Sequence, residues 1–306
     1  MLSFEEGHAK EVLILNRILR VCTKEDGTKM AELEADPRYA GILVETPLAN
    51  VRSLSTLGAK EKPTGPEIEV SAVEVTSIRS GIMRCSFLSE DRPELKYPVK
   101  ELARDMQKPT SHTLQKLKKI GRYLLGAPRL VQQFPWQGPT SKLVLKTDSD
   151  HAGCLKTRKS TSAGAALHGR HMIRLYSATQ TVPAISSGES EFYAIVRGTS
   201  TGLGMKTNFL DLGKEVSLEI GTDSSAAKTM ATRLGLGRAR HIETQFLWVQ
   251  HIFREKKAKI FKEQGTENES DLGTKYVDYK TMIHLLDKLN FKFKEGKSSI
   301  ALRAAV

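Results

Sequence analysis

The stretch Lys142–Gly153, KLVLKTDSDHAG, does most to limit what this chain can fold into. Leu143, Val144 and Leu145 form a short apolar run of the kind a central strand makes, with polar residues on both sides. Asp148 follows where such a strand runs out, and Ser149, Asp150, His151 and Gly153 make the exit a turn. A carboxylate at the end of a buried strand is rigid, partly dehydrated and still reachable from solvent, which suits metal-assisted chemistry. The plainer reading is that Asp148 only terminates a strand. Which reading holds depends on whether the chain supplies matching acids.

The stretch after it alternates strands and helices. Ala163–Leu167 and Met172–Tyr176 read as two short strands joined by a turn at Gly169, which with the first strand make an antiparallel meander. Ser187 and Gly188 lead into a long helix with Phe192, Ile195, Val196, Leu203, Phe209 and Leu210 as apolar positions, weakened in its middle by Gly202 and Gly204. Val216–Ile220 reads as a fourth strand ending at Gly221-Thr222-Asp223, and a helix follows from Ser224 to about Thr232. Ile242–Lys256 reads as an amphipathic helix and Lys259–Phe261 as a last short strand. Asp271 is expected to open a terminal helix carrying Met282, Leu285, Leu286 and Leu289.

Strand–strand–strand–helix–strand–helix implies an α/β fold, a mixed sheet with flanking helices. If its first and fourth strands lie side by side and parallel, Asp148 and Asp223 emerge at one edge, where such sheets bind ligands. Glu191, in the first turns of the long helix, and Asp271 can reach the same edge. Clustered carboxylates repel one another unless a cation compensates. Hard oxygen ligands suit Mg²⁺, two ions of it with Mn²⁺ as a substitute, roughly 4 Å apart to activate water and stabilise a leaving 3′ oxygen. Each acid also has a plain structural reading: Asp223 and Asp271 as helix caps, Glu191 as an exposed helical residue.

The 306 residues suffice for two domains, and 39% hydrophobic with 27% charged residues is ordinary for a globular chain. Lys and Arg exceed Asp and Glu by 47 − 35 = 12, an excess that suggests an anionic polymer, most simply nucleic acid. No apolar run approaches the ~20 residues that span a bilayer, and MLSFEEGHAKEV lacks the layout of a signal peptide. Cys22, Cys85 and Cys154 are widely spaced, so neither a disulfide framework nor a zinc site is implied, and a reducing, intracellular setting (cytoplasmic or nuclear, not secreted) is expected.

Before Lys142 the signals are weaker. Glu11–Val21, EVLILNRILRV, reads as a strand or a short amphipathic helix, and Asp36–Leu43 and ETPLANVRSLSTLG give helical fragments without a clear core face. Ala59–Pro66, AKEKPTGP, reads as a polar linker. Tyr97–Met106 places Val99, Leu102 and Met106 at helical spacing. Thr110 and Ser111 can cap a second helix, with Leu114, Leu117, Ile120, Tyr123 and Leu124 on one face and Lys116, Lys118, Lys119 and Arg122 on the other. That basic face is either merely solvated or tracks a phosphate backbone, through Lys116 and Lys119. Phe134–Thr140, FPWQGPT, is the expected domain boundary.

Six motifs then follow in order: TDSDHAG, TRKSTSAG (Thr157–Gly164), ATQTVPAISSGESEFYAI (Ala178–Ile195), GTDSSAA (Gly221–Ala227), RARHIE (Arg238–Glu243) and ESDLGTK (Glu269–Lys275). In this order and spacing they resemble the ribonuclease H domain of copia-type LTR retrotransposon Pol polyproteins, over roughly Leu143–Leu289. SIRSGIMRC through GAPRL resembles the end of the reverse transcriptase in the same polyproteins, and EVLILNRILRV through ETPL continues that resemblance more loosely. Two departures stand out: His151 replaces the tryptophan usual in DADWAG, and Tyr276 stands where a proline often follows the terminal TK.

The resemblance implies a ribonuclease H-like mixed sheet in residues 138–290. A smaller, mostly helical partial reverse-transcriptase region would precede it, as a loosely matched remnant (1–75) and a thumb- or connection-like segment (76–137), with 291–306 as a tail. It implies Mg²⁺-dependent cleavage of the RNA strand of RNA–DNA hybrids. Asp148, Glu191, Asp223 and Asp271 would be the catalytic and metal-binding acids; Glu191 rather than Glu189 matches, and Asp150 matches a further acid. Arg158, Ser160 and Thr161, with Thr157, are substrate contacts or simply turn residues, and His241 sits where the family carries a histidine. No YxDD-type pair precedes Asp148, so DNA synthesis is not expected and the polymerase part looks truncated. The rest of a Pol polyprotein, including a reverse-transcriptase palm, is a possible partner. The alternative is a catalytically inactive nucleic-acid-binding remnant of a decayed element.

Overall fold

The structure is a computed structural model and describes residues 2–45, 52–57, 63–237 and 239–296. It divides the chain into two units, Met1–Trp136 with Tyr276–Val306, and Gln137–Lys275. The division at Trp136 falls inside FPWQGPT. Parts of ETPLANVRSLSTLG and of AKEKPTGP, Arg238 of RARHIE and the end of the tail lie outside the described residues.

The first unit opens with strands β1 (Glu11–Ile14), β2 (Arg17–Thr23) and β3 (Lys29–Glu34). The Glu11–Val21 ambiguity resolves as a hairpin, with Leu15 and Asn16 both at positive φ in a two-residue turn whose twist suits antiparallel strands. Helices α1 (Pro37–Glu45), α2 (Ala72–Leu88), α3 (Lys96–Ala103) and α4 (Ser111–Gly126) follow, then β4 (Arg129–Pro135). Ser71 and Glu74 cap α2 reciprocally, and Thr110 with Thr113 does the same for α4. Ile78, Ile82, Leu95, Leu102, Ile120, Tyr123 and Leu124 form the core.

The second unit contains β5 (Lys142–Ser149), β6 (Thr161–His168) and β7 (His171–Thr179), the meander expected from sequence. After them come α5 (Ser187–Asp211), β8 (Ser217–Thr222), α6 (Ser225–Thr232), α7 (Trp248–Arg254) and β9 (Lys259–Lys262). The strand order is β7-β6-β5-β8-β9, with β5, β8 and β9 parallel and β6 antiparallel to both neighbours. This is the mixed sheet with flanking helices that the sequence implied, with the first and fourth strands of the unit side by side and parallel. Leu143, Leu145, Leu218 and Ile220 meet Phe192 and Ile195 of α5 in its core. Gly198 and Gly202 do not interrupt α5. They let it approach the sheet: a Cβ on Gly198 would lie 2.4 Å from Thr147 Cγ2, and one on Gly202 2.6 Å from Leu218 Cδ1.

The chain then returns to the first unit as α8 (Tyr279–Lys288) and β10 (Phe291–Lys294), which pairs antiparallel with β4. The helices of the first unit hold more of its residues than its strands do, as expected, but they accompany a five-stranded antiparallel sheet, β1-β2-β3-β4-β10, that the sequence did not announce. Other expectations are corrected. Asp271 does not open the terminal helix: it lies in a 3₁₀ turn, Glu269–Gly273, while α8 is capped by Asp278. The second unit therefore ends at Lys275 rather than at 290. The helix expected over Ile242–Lys256 is also shorter, a 3₁₀ turn at Thr244–Phe246 followed by α7. Among the described residues no helix is long and apolar enough to cross a membrane.

Candidate metal centre

Parallel pairing of β5 with β8 puts two acids at one edge. The last paired residues are Lys146 and Gly221, and Asp148 and Asp223 each lie two positions further on. The side chain of Ser186 accepts the Glu189 N–H to start α5, and Glu191 follows within the first turns. The close approach at Gly198 brings that part of α5 against the strand end. One carboxylate oxygen from each of Asp148, Glu191 and Asp223 lies within 4.8 Å of the others, with Asp148 and Glu191 buried and Asp223 half-buried.

The surroundings hold these acids in place without neutralising them. The Ser149 N–H donates to Glu191 Oε1 at 3.2 Å, while Glu191 Oε2 is buried with no hydrogen-bond partner. The Thr274 hydroxyl donates to Asp148 Oδ2. Asp271 shares a hydrogen bond with Asp148, and its Oδ2 lies 2.8 Å from Lys275 Nζ. Burial, then the charges of Asp148 and Asp223, pushes the Glu191 carboxyl up to about 9. Burial and Asp148 push Asp271 up to about 7, and the same two causes raise Asp223. At Lys275 burial, the largest single effect, would lower the ammonium, but the bond to Asp271 and the charges of Asp271, Asp148 and Asp223 together raise it.

Such a site fits a hard divalent cation. Its donors are all oxygens, one of them buried and unpaired, and like charges this close are stable together only with protons or a cation between them. Asp148, Glu191 and Asp223 would hold the ion directly, and Asp271 adjoins them through Asp148.

The other sequence candidates take different places. Asp150 ties down its own loop, accepting the Thr161 N–H. Ser160 and Thr161 are buried, and Ser160 Oγ accepts the Ala152 N–H at 2.9 Å, so they shape this turn instead of facing a polymer. Arg158 is exposed at positive φ on the same loop. His241 Nε2 lies 2.8 Å from Glu189 Oε2, and Glu189 also accepts the Tyr193 hydroxyl at 2.7 Å, which accounts for Glu189 apart from the metal site. Lys116 and Lys119 belong to α4 in the first unit, where Lys116 pairs with Asp105 at 2.5 Å.

Sequence reasoning passed over three polar residues. Thr274 contacts Asp148; Asn268 donates to the Thr147 carbonyl at 2.9 Å and so ties the Asp271 turn to β5; Gln180 donates to residues beside two of the acids. Gln180 and Thr274 lie inside quoted motifs, but nothing in their spacing announced a contact.

No family model matches the chain. It is 26% identical over 238 residues to the retrovirus-related Pol polyprotein from transposon TNT 1-94 of Nicotiana tabacum, covering 76% of this chain and 17% of that protein. It is 32% identical over 157 residues to the corresponding polyprotein from transposon RE1 of Arabidopsis thaliana, covering 51% of this chain and 10% of the relative. The chain thus spans a small part of these relatives' length. Among solved structures, LC11-RNase H1, isolated from compost by a metagenomic approach, matches 44% of this chain and 94% of its own at 14% identity, with a TM-score of 0.36.

Proposed function

From a chain that belongs with the retrovirus-related Pol polyproteins of copia-type plant transposons, we propose that the second unit is a ribonuclease H, hydrolysing the RNA strand of RNA–DNA hybrids. The observation that carries this reading is the convergence of Asp148, Glu191 and Asp223 within 4.8 Å beyond the carboxyl ends of parallel β5 and β8. With Asp271 they would hold Mg²⁺, two ions in the fullest form of the reading, or Mn²⁺ in its place. A bound divalent ion lowers the pKa of water and offsets charge on a leaving oxygen.

The chain's own residues do the arranging. Asp148 and Asp223 are fixed by the sheet register, Glu191 by the Ser149 N–H, and Asp271 by its 3₁₀ turn and Lys275. Hydrolysis adds water across one P–O3′ bond of the RNA strand, leaving a 3′-hydroxyl and a 5′-phosphate. The excess of 12 basic residues favours a polyanionic substrate, and exposed Arg158 is a candidate contact. The 26% identity over 238 residues supports reading the first unit as reverse-transcriptase-derived, though without a YxDD-type pair DNA synthesis is no part of the proposal.

The test is cleavage of a labelled RNA–DNA hybrid by the full chain with Mg²⁺ or with EDTA, beside Asp223→Asn. Cutting of the RNA strand that needs Mg²⁺ and is lost in the variant supports the nuclease. Tight hybrid binding with no cutting under either condition would replace it with a binding role.

A further inference from the structure

Gln180 lies one residue beyond β7, carries no charge and touches none of the acids, yet its side chain joins the two segments that present them. It is 7% exposed, and its backbone N–H donates to the Ser160 carbonyl at 2.8 Å, which anchors it to the sheet. The two N–H groups of its Nε2 serve three acceptors, the Ser190 carbonyl at 2.8 Å, Ser162 Oγ at 2.9 Å and, sharing one N–H, Ser149 Oγ at 3.2 Å. Ser149 directly follows Asp148, and Ser190 directly precedes Glu191. The Ser149 N–H is also the donor to Glu191 Oε1.

We propose that Gln180 is a positioning residue for the metal centre: its amide clamps the end of β5 to the first turns of α5 and so sets the separation of Asp148 and Glu191. This deepens the nuclease reading and rests on it. Two observations separate the role from ordinary packing. Gln180 Oε1 is buried with no partner, so the amide is not there to satisfy its own hydrogen bonding, and an unpaired buried carbonyl costs stability. The side chain also lines a cavity of about 730 Å³ with Tyr193, Arg197 and Trp248, so packing leaves one side of it open and its amide hydrogen bonds hold it. Groups just outside a metal's ligands fix those ligands' orientation, and their loss typically costs about 10- to 100-fold in metal affinity or activity.

The experiment compares the full chain with Gln180→Leu, which keeps the bulk and removes the donor, and with Gln180→His, which returns a ring N–H. Binding of Mn²⁺ is followed by the electron paramagnetic resonance of the free ion, cleavage of an RNA–DNA hybrid is titrated with Mg²⁺, and melting is recorded in EDTA. Leucine is expected to leave the melting temperature within about 3 °C, weaken Mn²⁺ binding about tenfold or more, and lower kcat with KM for the hybrid nearly unchanged. High Mg²⁺ recovers part of the rate, and histidine recovers part of the affinity. A leucine variant with wild-type Mn²⁺ affinity and kcat overturns the proposal. So does one that melts much lower while each folded molecule binds Mn²⁺ normally. Wild-type protein that neither binds Mn²⁺ nor cuts overturns the nuclease reading itself, and the clamp falls with it.

Discussion

At Glu191 burial and the charges of Asp148 and Asp223 act in the same direction, so without a cation the folded protein favours the protonated side chain. The group moves from an ordinary 4.5 to about 9, and Asp271 from 3.8 to about 7. A folded-state value above the unfolded one means that the folded chain binds the proton more tightly. The stability this contributes is complete below the unfolded value and is lost as pH rises through the folded one. In EDTA the melting temperature should therefore fall between about pH 5 and pH 9, first through Asp271 and then through Glu191. Glu191→Gln, which cannot ionise, should flatten the upper part of that fall while reducing hybrid cleavage at least about a hundredfold, since it removes a ligand the reaction needs. Melting scans over pH check the first half and cleavage assays the second. A variant with the wild-type pH slope would remove Glu191 as the cause. Mg²⁺ should stabilise the wild-type protein most at high pH, where the acids are charged.

The elements that carry the site depend on close backbone approach, and Gly198 tests this most directly. Its Cβ position lies 2.4 Å from Thr147 Cγ2 and 2.9 Å from Leu145 Cδ2, so Gly198→Val must push α5 away from β5. The expected cost is about 1–3 kcal/mol in urea unfolding. Cleavage should fall beyond what the unfolded fraction explains, because the same shift separates Glu191 from Asp148; valine tolerated without loss would mean that the helix sits less tightly than described. Sequence showed much of this unit. Leu143, Val144 and Leu145 make the apolar run of a central strand, Gly169 marks the β6–β7 turn, and Asp148 and Asp223 stand where their strands end. It misjudged Gly202 as a weak point because helix propensity says nothing about the sheet packed against it, whereas Gly204 meets no neighbour within 4 Å. It also placed Asp271 in a helix that starts later, since a 3₁₀ turn leaves no periodic signal.

In the first unit the strands were hidden by their own charges. Glu32 and Glu34 are buried in β3, which on composition reads as a solvated face. They are tolerated because basic residues of the same sheet meet them: Arg20 and Arg129 on the adjacent strands pair with Glu34 at 2.6 and 2.5 Å, and Lys294 on β10, one strand further off, pairs with Glu32 at 2.5 Å. No local pattern reveals such a ladder, because β10 joins β4 across more than a hundred and fifty residues of chain that include the whole second unit. The return of the C-terminal segment gives a prediction that sequence alone reversed. Met282, Leu285, Leu286, Leu289 and Phe291 are all buried in the first unit. Burying each such side chain contributes about 1.5–3 kcal/mol, so a chain ending at Lys275 loses on the order of 10 kcal/mol there, comparable with a domain's whole stability of about 5–15 kcal/mol. It loses nothing from β5 to β9. Hydrogen exchange should then show α4 and β4 unprotected while β5, β6 and α5 keep their protection, and Mn²⁺ binding should survive. If the domain instead extended to 290, the same truncation would strip protection from β5 and α5 and spare the first unit. That pattern of exchange would show that the second unit, not the first, owns α8.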